Sequence, residues 1–523
     1  MAINYPGKAL PGILEYDLEY IQKTHPLYKM YLPRWTYLGD AYTGGYDHFL
    51  GKYLEPYYYE STDDYMKRLR QVALDNHCRS VIGIYNSFLY RKSPKRNLGM
   101  LENLPAIEQF YQDADLDGRS FDQFMRDVAT YAMVYGVVWV AIDKPVSNAY
   151  TRADELAQGI RPYATMFTPE NVLDWNYERT ESGLYRLNYV KLKEETQKEY
   201  TVIREYTLDT IRAFKVGADK SNDVELIQEQ PNEIGMIPIC PVYAQRGNKR
   251  GIGISLVNDI ADIQRSIYEE YSEIEQIIRL TNHPALVKTA GTDASAGAGA
   301  IIQVEDGIDP NLRPYLLQPN GASIDSVLKS ISQKVESIDR MASLGGIRSV
   351  ESRRLSGVGL QTEFQMLNAR LADIALNLEH AEEMIWRQFA MYMGMAFDGE
   401  INYPRSFSIQ DKANDINMLK LAKDSNISDP YILKEIDEKI FETLFEEDYE
   451  THRMAEESAP YEENMMETQM METQPQAQEH SPVTSPEQLI THFRQMIEEG
   501  YSNEEINQLH PELARLFSGS NSS

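Results

Sequence analysis

Apolar residues recur at steps of three and four in three long stretches of the chain. From Ser255 onward, Leu256, Ile260, Ile263, Ile267, Tyr271, Ile274, Ile277 and Ile278 fall on one stripe, which predicts an amphipathic helix. Ser255, after Gly251 and Gly253, supplies an N-cap, and Asn282-His283-Pro284 supplies a stop. A second stripe starts at Ser323, carries Ile324, Val327, Ile331, Val335 and Ile338, and closes near Leu344-Gly345-Gly346. A third carries Leu360, Phe364, Leu367, Leu371, Ile374, Leu378, Ala381, Ile385 and Phe389. At 1.5 Å per residue the first helix spans about 40 Å and the third about 50 Å. By pattern alone these helices form an ordinary helical core.

The first half is mixed. Residues 62–90 read as helix opened by Thr62, Asp63 and Asp64, with Tyr65, Leu69, Val72, Ala73, Ile84, Phe88 and Leu89 inward. Ser120 and Gln123 match a capping box. The helix they open at Phe121 ends at Gly136, and Val137 to Ile142 reads as a buried strand. From Arg161 to about Ala244 the pattern alternates. Leu184 to Lys193, Tyr200 to Tyr206 and Thr210 to Val216 are strands; with Tyr163 to Phe167 and Ile237 to Tyr243 they predict a mostly antiparallel sheet. Residues 1–60 are rich in Tyr, Pro and Gly, and Tyr53, Tyr57, Tyr58 and Tyr59 belong to an arm that packs on a neighbour or on its own domain. After Asn402 a helix is expected from Ser428 to Glu447. Glu442 to Glu479 holds 12 acidic residues and one basic residue, Arg453, which predicts a disordered linker.

At 523 residues the chain is long enough for more than one domain. Lys plus Arg is 51 and Asp plus Glu is 80, a net charge of -29. That balance opposes tight nucleic-acid binding, which rests on phosphate neutralisation. Cys78 and Cys240 are the only cysteines, so neither a disulfide framework nor a cysteine zinc cluster is available. No signal-length apolar core opens the sequence and no run of membrane length occurs, which points to a reducing cytoplasm. No phosphate-cradling P-loop, His-Glu-x-x-His or Gly-x-Ser-x-Gly is present, and His380-Ala381-Glu382-Glu383 lacks the second histidine. Asp113, Asp115, Asp117 and Gly118 have the spacing that opens a calcium loop, but the twelfth position is Phe124 rather than Glu. A polar turn before a helix is the expectation there.

The order of these parts resembles that of tailed-bacteriophage portal proteins over most of the chain. The resemblance rests on five pieces: Ile84-Tyr85-Asn86-Ser87-Phe88-Leu89-Tyr90-Arg91-Lys92-Ser93-Pro94, the Phe121 to Pro145 helix–glycine–strand unit, Pro238-Ile239-Cys240-Pro241-Val242-Tyr243, Leu355-Ser356-Gly357-Val358-Gly359-Leu360, and Ile401-Asn402-Tyr403-Pro404 followed by Phe407 and Asp411. It implies an α+β, mainly helical subunit with an N-terminal arm (1–60), a mixed wing (61–250), a stem helix (251–282), a clip (283–322), a second stem helix (323–342), a tunnel loop (343–358), a long helix returning to the wing (359–425) and a helical crown (426–523) whose acidic part is partly disordered. It further implies a ring of about twelve subunits at one capsid vertex of a virion assembled in the host cytoplasm, with double-stranded DNA passing through without tight binding. A terminase motor, head-completion and tail proteins, and a major capsid or scaffolding protein are the implied partners. No catalysis, cofactor or metal is expected. An acidic scaffolding or adaptor protein is the alternative, and a metal-dependent hydrolase a further one that lacks converging carboxylates and histidines.

Two segments carry the site expectations. Residues 344–357 place Arg348, Arg353 and Arg354 with three glycines between two long helices of an otherwise acidic chain. Glycine allows mobility and arginine suits phosphate, so the segment is a channel loop by resemblance or a solvated interhelical connection. Residues 283–322 are a partner-docking clip by resemblance or a surface hairpin, with Thr289, Gly291, Asp293, Gly297 and Gly299 at its flexible tip and short strands at Ala300 to Val304 and Tyr315 to Leu317.

Overall fold

A computed structural model describes residues 18–407, except 46–48, 50, 146–150, 198, 218–223, 283–284, 289–306, 308, 318–321 and 346–356, together with scattered positions between 419 and 440. The helix expected over 428–447 and the acidic linker fall almost wholly outside the described residues. Residues 1–409 form one compact unit, and its architecture is mixed α+β.

In chain order the elements are α1 (Leu18–Gln22), α2 (Pro26–Thr43), α3 (Thr62–Gln71), α4 (His77–Leu89), β1 (Lys95–Asn97), α5 (Pro105–Gln112), α6 (Phe121–Tyr135), β2 (Val137–Asp143), α7 (Arg152–Ala157) and β3 (Tyr163–Phe167). A meander follows: β4 (Val172–Arg179), β5 (Tyr185–Thr196), β6 (Tyr200–Thr207), β7 (Thr210–Gly217) and β8 (Val224–Pro231). Then come β9 (Ile239–Tyr243), α8 (Asn258–Asn282), β10 (Ala285–Val287), β11 (Tyr315–Leu317), α9 (Ala322–Met341), α10 (Gly357–Tyr392) and β12 (Glu400–Asn402).

The centre is α6 followed directly by β2. The capping box forms as the sequence predicts, with Gln123 N–H donating to Ser120 Oγ and Ser120 N–H to Gln123 Oε1, both at 3.3 Å. Gly136 ends the helix at φ +87°, a conformation glycine adopts freely. All seven residues of β2 are buried, between antiparallel partners β3 and β9.

The carbonyls that α6 leaves free at its C-terminal end are satisfied by the segment leading into α8. Leu256 N–H donates to Met133 O at 2.9 Å, Ser255 Oγ to Val134 O at 2.6 Å, and Ala244 N–H to Gly136 O at 3.2 Å. The two chains run so close that a Cβ on Gly136 would lie 2.6 Å from the Gly253 carbonyl carbon, and one on Gly253 would overlap the Gly136 carbonyl. Ser255 therefore caps α6 as well as receiving Val257 N–H at 3.2 Å, and the regular helix starts at Asn258, two residues later than an N-cap at Ser255 predicts.

The alternating region folds as two antiparallel sheets rather than one: β3-β2-β9, and β4-β5-β6-β7-β8. Two strands of the second sheet are not among the sequence-predicted strands. A bulge in β4 between Val172 and Asp174, and a second register shift where β5 carries the extra residue opposite Asn176/Tyr177, disturb the alternation of β4, and edge strand β8 has no fully buried residue, so its inward face is weakly marked. The expected single helix over 62–90 is two. Ser61, not Thr62, caps the first, accepting from Asp64 N–H at 3.1 Å, and Asn76 caps the second, accepting from Arg79 N–H at 2.8 Å. The break leaves Ala73 exposed and turns Cys78, Val81, Ile82, Tyr85 and Leu89 inward, while Ile84 and Phe88 are only half-buried.

Three buried polar ties fasten the periphery. Lys191 Nζ on β5 donates to the carbonyls of Tyr20, Ile21 and Lys23, capping the C-terminal end of α1. Glu382 on α10, wholly buried, accepts from Arg96, Trp386 and Tyr403, joining α10 to β1 and the chain after β12. Arg68 pairs with Glu60 and donates to Ser272 on α8 at 2.9 Å. The tyrosine segment divides accordingly. Tyr53 donates to Asp40 and Tyr57 lies over the Arg68 guanidinium, so both pack on their own domain, whereas Tyr58 and Tyr59 are 91% and 94% exposed.

Gly253→Ala should lower stability by about 3 kcal/mol, because backbone opposes backbone and nothing can yield cheaply. Gly83→Ala, in α4 with no heavy atom within 4 Å of the added Cβ, should raise it by about 0.5–1 kcal/mol. Denaturant midpoints of the two variants check both signs.

Candidate functional site

The helices that flank the two candidate loops are described along their backbones, and the loops' tips are not. α8 and α9 pack antiparallel: Lys334 Nζ meets Glu270 and Ser266 Oγ, each at 2.7 Å, and Ser330 Oγ donates to Glu270 at 2.7 Å. Burial fades toward their shared end. No described residue of α8 beyond Ile274 is buried, and none of α9 before Ile331. Ile278 and Leu328 there are 38% and 44% exposed. The apolar stripe thus continues past the point where this subunit covers it.

Beyond that end, β10 and β11 pair antiparallel with Ala285 opposite Leu317, Leu286 opposite Leu316 and Val287 opposite Tyr315. The strand read at Tyr315 to Leu317 is present. Its partner β10 was not foreseen, since three residues carry no readable alternation. Thr289, Gly291, Asp293, Gly297, Gly299 and the strand expected at Ala300 to Val304 lie outside the described residues.

The other loop leaves from a fixed point. α9 ends in a Schellman turn: Leu344 N–H donates to Asp339 O at 2.8 Å, Ser343 takes φ +53°, and Leu344 is fully buried. Two side chains hold that turn. Tyr85 Oη donates to Ala342 O at 2.7 Å, and Arg370 of α10 donates to Met341 O. Burial raises the Tyr85 hydroxyl above its usual range, partly offset by Arg370, so it stays a neutral donor. Arg348, Arg353 and Arg354 lie outside the described residues. A cavity of about 460 Å³ adjoins this turn, lined by Gln245, Ile254, Asp259, Met341, Arg370 and Asn377 among others. Ser255, which also lines it, donates its hydroxyl to Val134 O at 2.6 Å.

The remaining candidate chemistry is spent on structure. Asp115 Oδ1 accepts from the amides of Asp117 and Arg119, and Asp113 Oδ1 from Gly118, so the calcium-like turn is closed by its own backbone. His25 accepts from Leu27 N–H at the start of α2 and stacks on Trp175. Burial pushes the Cys78 and Cys240 thiols up to about 12, leaving neither as a thiolate near neutral pH. Among the described residues no group of three or more His, Cys, Asp or Glu is placed to hold a metal, and no helix is long and apolar enough to cross a membrane. One feature of the described surface escaped the sequence reading: Arg246, Lys249 and Arg250 crowd one tight turn ahead of α8. Three cations within five residues of an acidic chain were the available signal.

No family model matches the chain, and no curated protein matches it. Among solved structures the chain is similar to one from the neck of an empty GTA particle computed with C6 symmetry, at 9% identity and TM-score 0.42, over 73% of this chain and 95% of that one. It is also similar to one from the neck of a native GTA particle computed with C12 symmetry, at 8% identity and TM-score 0.36, over 66% of this chain and 85% of that one.

Tyr85→Phe removes the donor from a buried carbonyl and should cost about 1–2 kcal/mol. Amide exchange at 341–345 should quicken while the amides of α8 keep their protection. Exchange mass spectrometry distinguishes this from a global loss, in which α8 would change equally.

Proposed function

We propose that the chain is a portal-type subunit: a structural component that closes into a ring at a capsid vertex and serves as a conduit for DNA. The observation that carries this reading is the helix pair α8–α9, whose apolar stripe runs beyond the body's own core and ends in a short hairpin, with the 36-residue α10 returning into the body. A surface of this kind is completed when each subunit presents it to the next. Heterologous contacts repeated around an axis give a closed ring, here one of about twelve copies. The order helix, hairpin, helix, arginine-bearing segment, long helix supports the stem, clip and tunnel-loop assignment given above.

In this reading the chain hydrolyses nothing. A terminase motor docks at residues 283–322 during packaging, head-completion and tail proteins replace it afterwards, and a capsid or scaffolding protein meets the wing. Arg348, Arg353 and Arg354 form a cationic girdle repeated by every subunit. Their attraction for phosphate is local, with a screening length of about 8 Å at physiological salt, and the chain's -29 charge keeps contact brief. An adaptor or scaffolding role is less well supported, because neither would require the five-stranded sheet.

Replacing the three arginines by Ala should leave folding and assembly unchanged while the length of packaged or retained DNA falls in particles built with the variant. Full-length, stably retained genomes would make these residues ordinary solvated loop positions.

A further inference from the structure

The turn from Gln245 to Ile254 is built rigidly and carries charge that no carboxylate answers among the described residues. Its backbone closes on itself: Ile254 N–H donates to Gln245 O at 2.8 Å, Gly247 N–H to Ile252 O and Ile252 N–H to Lys249 O, both at 3.2 Å. Glycines allow the close approach. Gly251 sits at φ +80°, and a Cβ there would collide with the Trp175 indole, whose Nε1 donates to Arg250 O at 3.2 Å. Gly251 N–H in turn donates to Tyr243 Oη at 3.1 Å.

This frame sets out cations on aromatic rings. The Arg250 guanidinium lies 3.4 Å from the centroid of Tyr185, and Arg179 of β4 lies 5.9 Å from the same ring. Arg246 is 5.8 Å from Tyr243, and Lys249 Nζ is 5.8 Å from Tyr31. Arg246, Lys249 and Arg250 are exposed, and among the described residues none of the four cations pairs with a carboxylate. Elsewhere the described arginines commonly do, as Arg186 does with Glu178 beside this patch. The Tyr185 ring backs the Arg250 guanidinium closely, and Arg179 also donates to Gly183 O at 3.2 Å.

We infer that this turn is a binding site for the phosphate backbone of double-stranded DNA. The loop itself, Gln245-Arg246-Gly247-Asn248-Lys249-Arg250, offers cations, amides and backbone with no apolar side chain. Protein–protein interfaces deplete charge and lysine at their core, whereas nucleic-acid interfaces are polar and strongly positive. The site needs no base-specific group, so binding is independent of sequence and falls with salt. The site uses none of residues 346–356 and does not depend on ring closure.

The test is fluorescence anisotropy of a duplex of about 30 base pairs with the full-length protein across a salt series. Arg246→Ala/Lys249→Ala/Arg250→Ala should reduce the slope of log affinity against log salt by about 2.7, from three lost phosphate contacts at 0.9 each, and weaken binding roughly tenfold at low salt. Arg186→Ala should leave both unchanged, and Arg246→Lys/Arg250→Lys should keep most of the slope. Equal slopes for the native protein and the triple variant would overturn the site. So would displacement of the duplex by poly-glutamate at equal charge concentration, which would make an acidic polypeptide the occupant. Because the readout is binding by whatever assembly the protein forms, a failure here leaves the ring reading standing, and a protein that forms no ring still tests the site.

Discussion

The structure depends on one backbone-to-backbone contact, where the end of α6 meets the start of the α8 segment across Gly136 and Gly253. A helix end leaves carbonyls that must be satisfied when buried. Here they are satisfied by the chain that leads into α8. Three hydrogen bonds from Ala244, Ser255 and Leu256 make the C-terminal end of α6 and the root of α8 a single unit. Neither glycine tolerates a side chain, so the direction in which α8 departs is set by sterics. The rigid turn bearing Arg246, Lys249 and Arg250 is the outer side of the same junction.

From that junction the consequences run outward. β2 follows α6 without a linker, so the three-stranded sheet shares its position. β9 pairs with β2 and feeds the turn. α10 crosses the same core, buried from Leu367 to Phe389 along one stripe and locked by Glu382 and its three donors. Removing a partner from such a buried charge group typically costs about 3–5 kcal/mol. α9 is then fixed at its C-terminal end by Tyr85 and Arg370. The α8–α9 pair is thus anchored at one end and uncovered at the other, and it is on this asymmetry that the proposed ring rests.

Much of this was legible in the residues. Stripes at steps of three and four located α8, α9 and α10, because long amphipathic helices repeat their signal many times. Ser120, Gln123 and Gly136 located α6 and its end, since caps have local chemistry. The meander's inner strands alternate visibly, but β4 is bulged and β8 has one exposed face and only a half-buried other, so neither carries the pattern. The break between α3 and α4 turns on Asn76 capping a second helix, a choice that residues 62–90 as one apolar stripe conceal. The buried ties of Lys191 and Glu382 could not be read at all, because their partners are distant in sequence and only packing brings them together. The sequence places its candidate site in two segments between helices; the structure describes their anchors, while the named site residues lie outside the described residues, and the cationic turn at 246–250 went unread because its interest lies in the lack of a carboxylate partner among the described residues.

The central claim is that the uncovered stripe on α8 and α9 is completed by further copies of this chain around an axis. Electron microscopy of the purified full-length protein at micromolar concentration and near-physiological salt tests it most directly. The account predicts end-on class averages of closed rings with a central opening and about a dozen equal subunits. A uniform population of compact monomers, or of two-fold dimers, would contradict it.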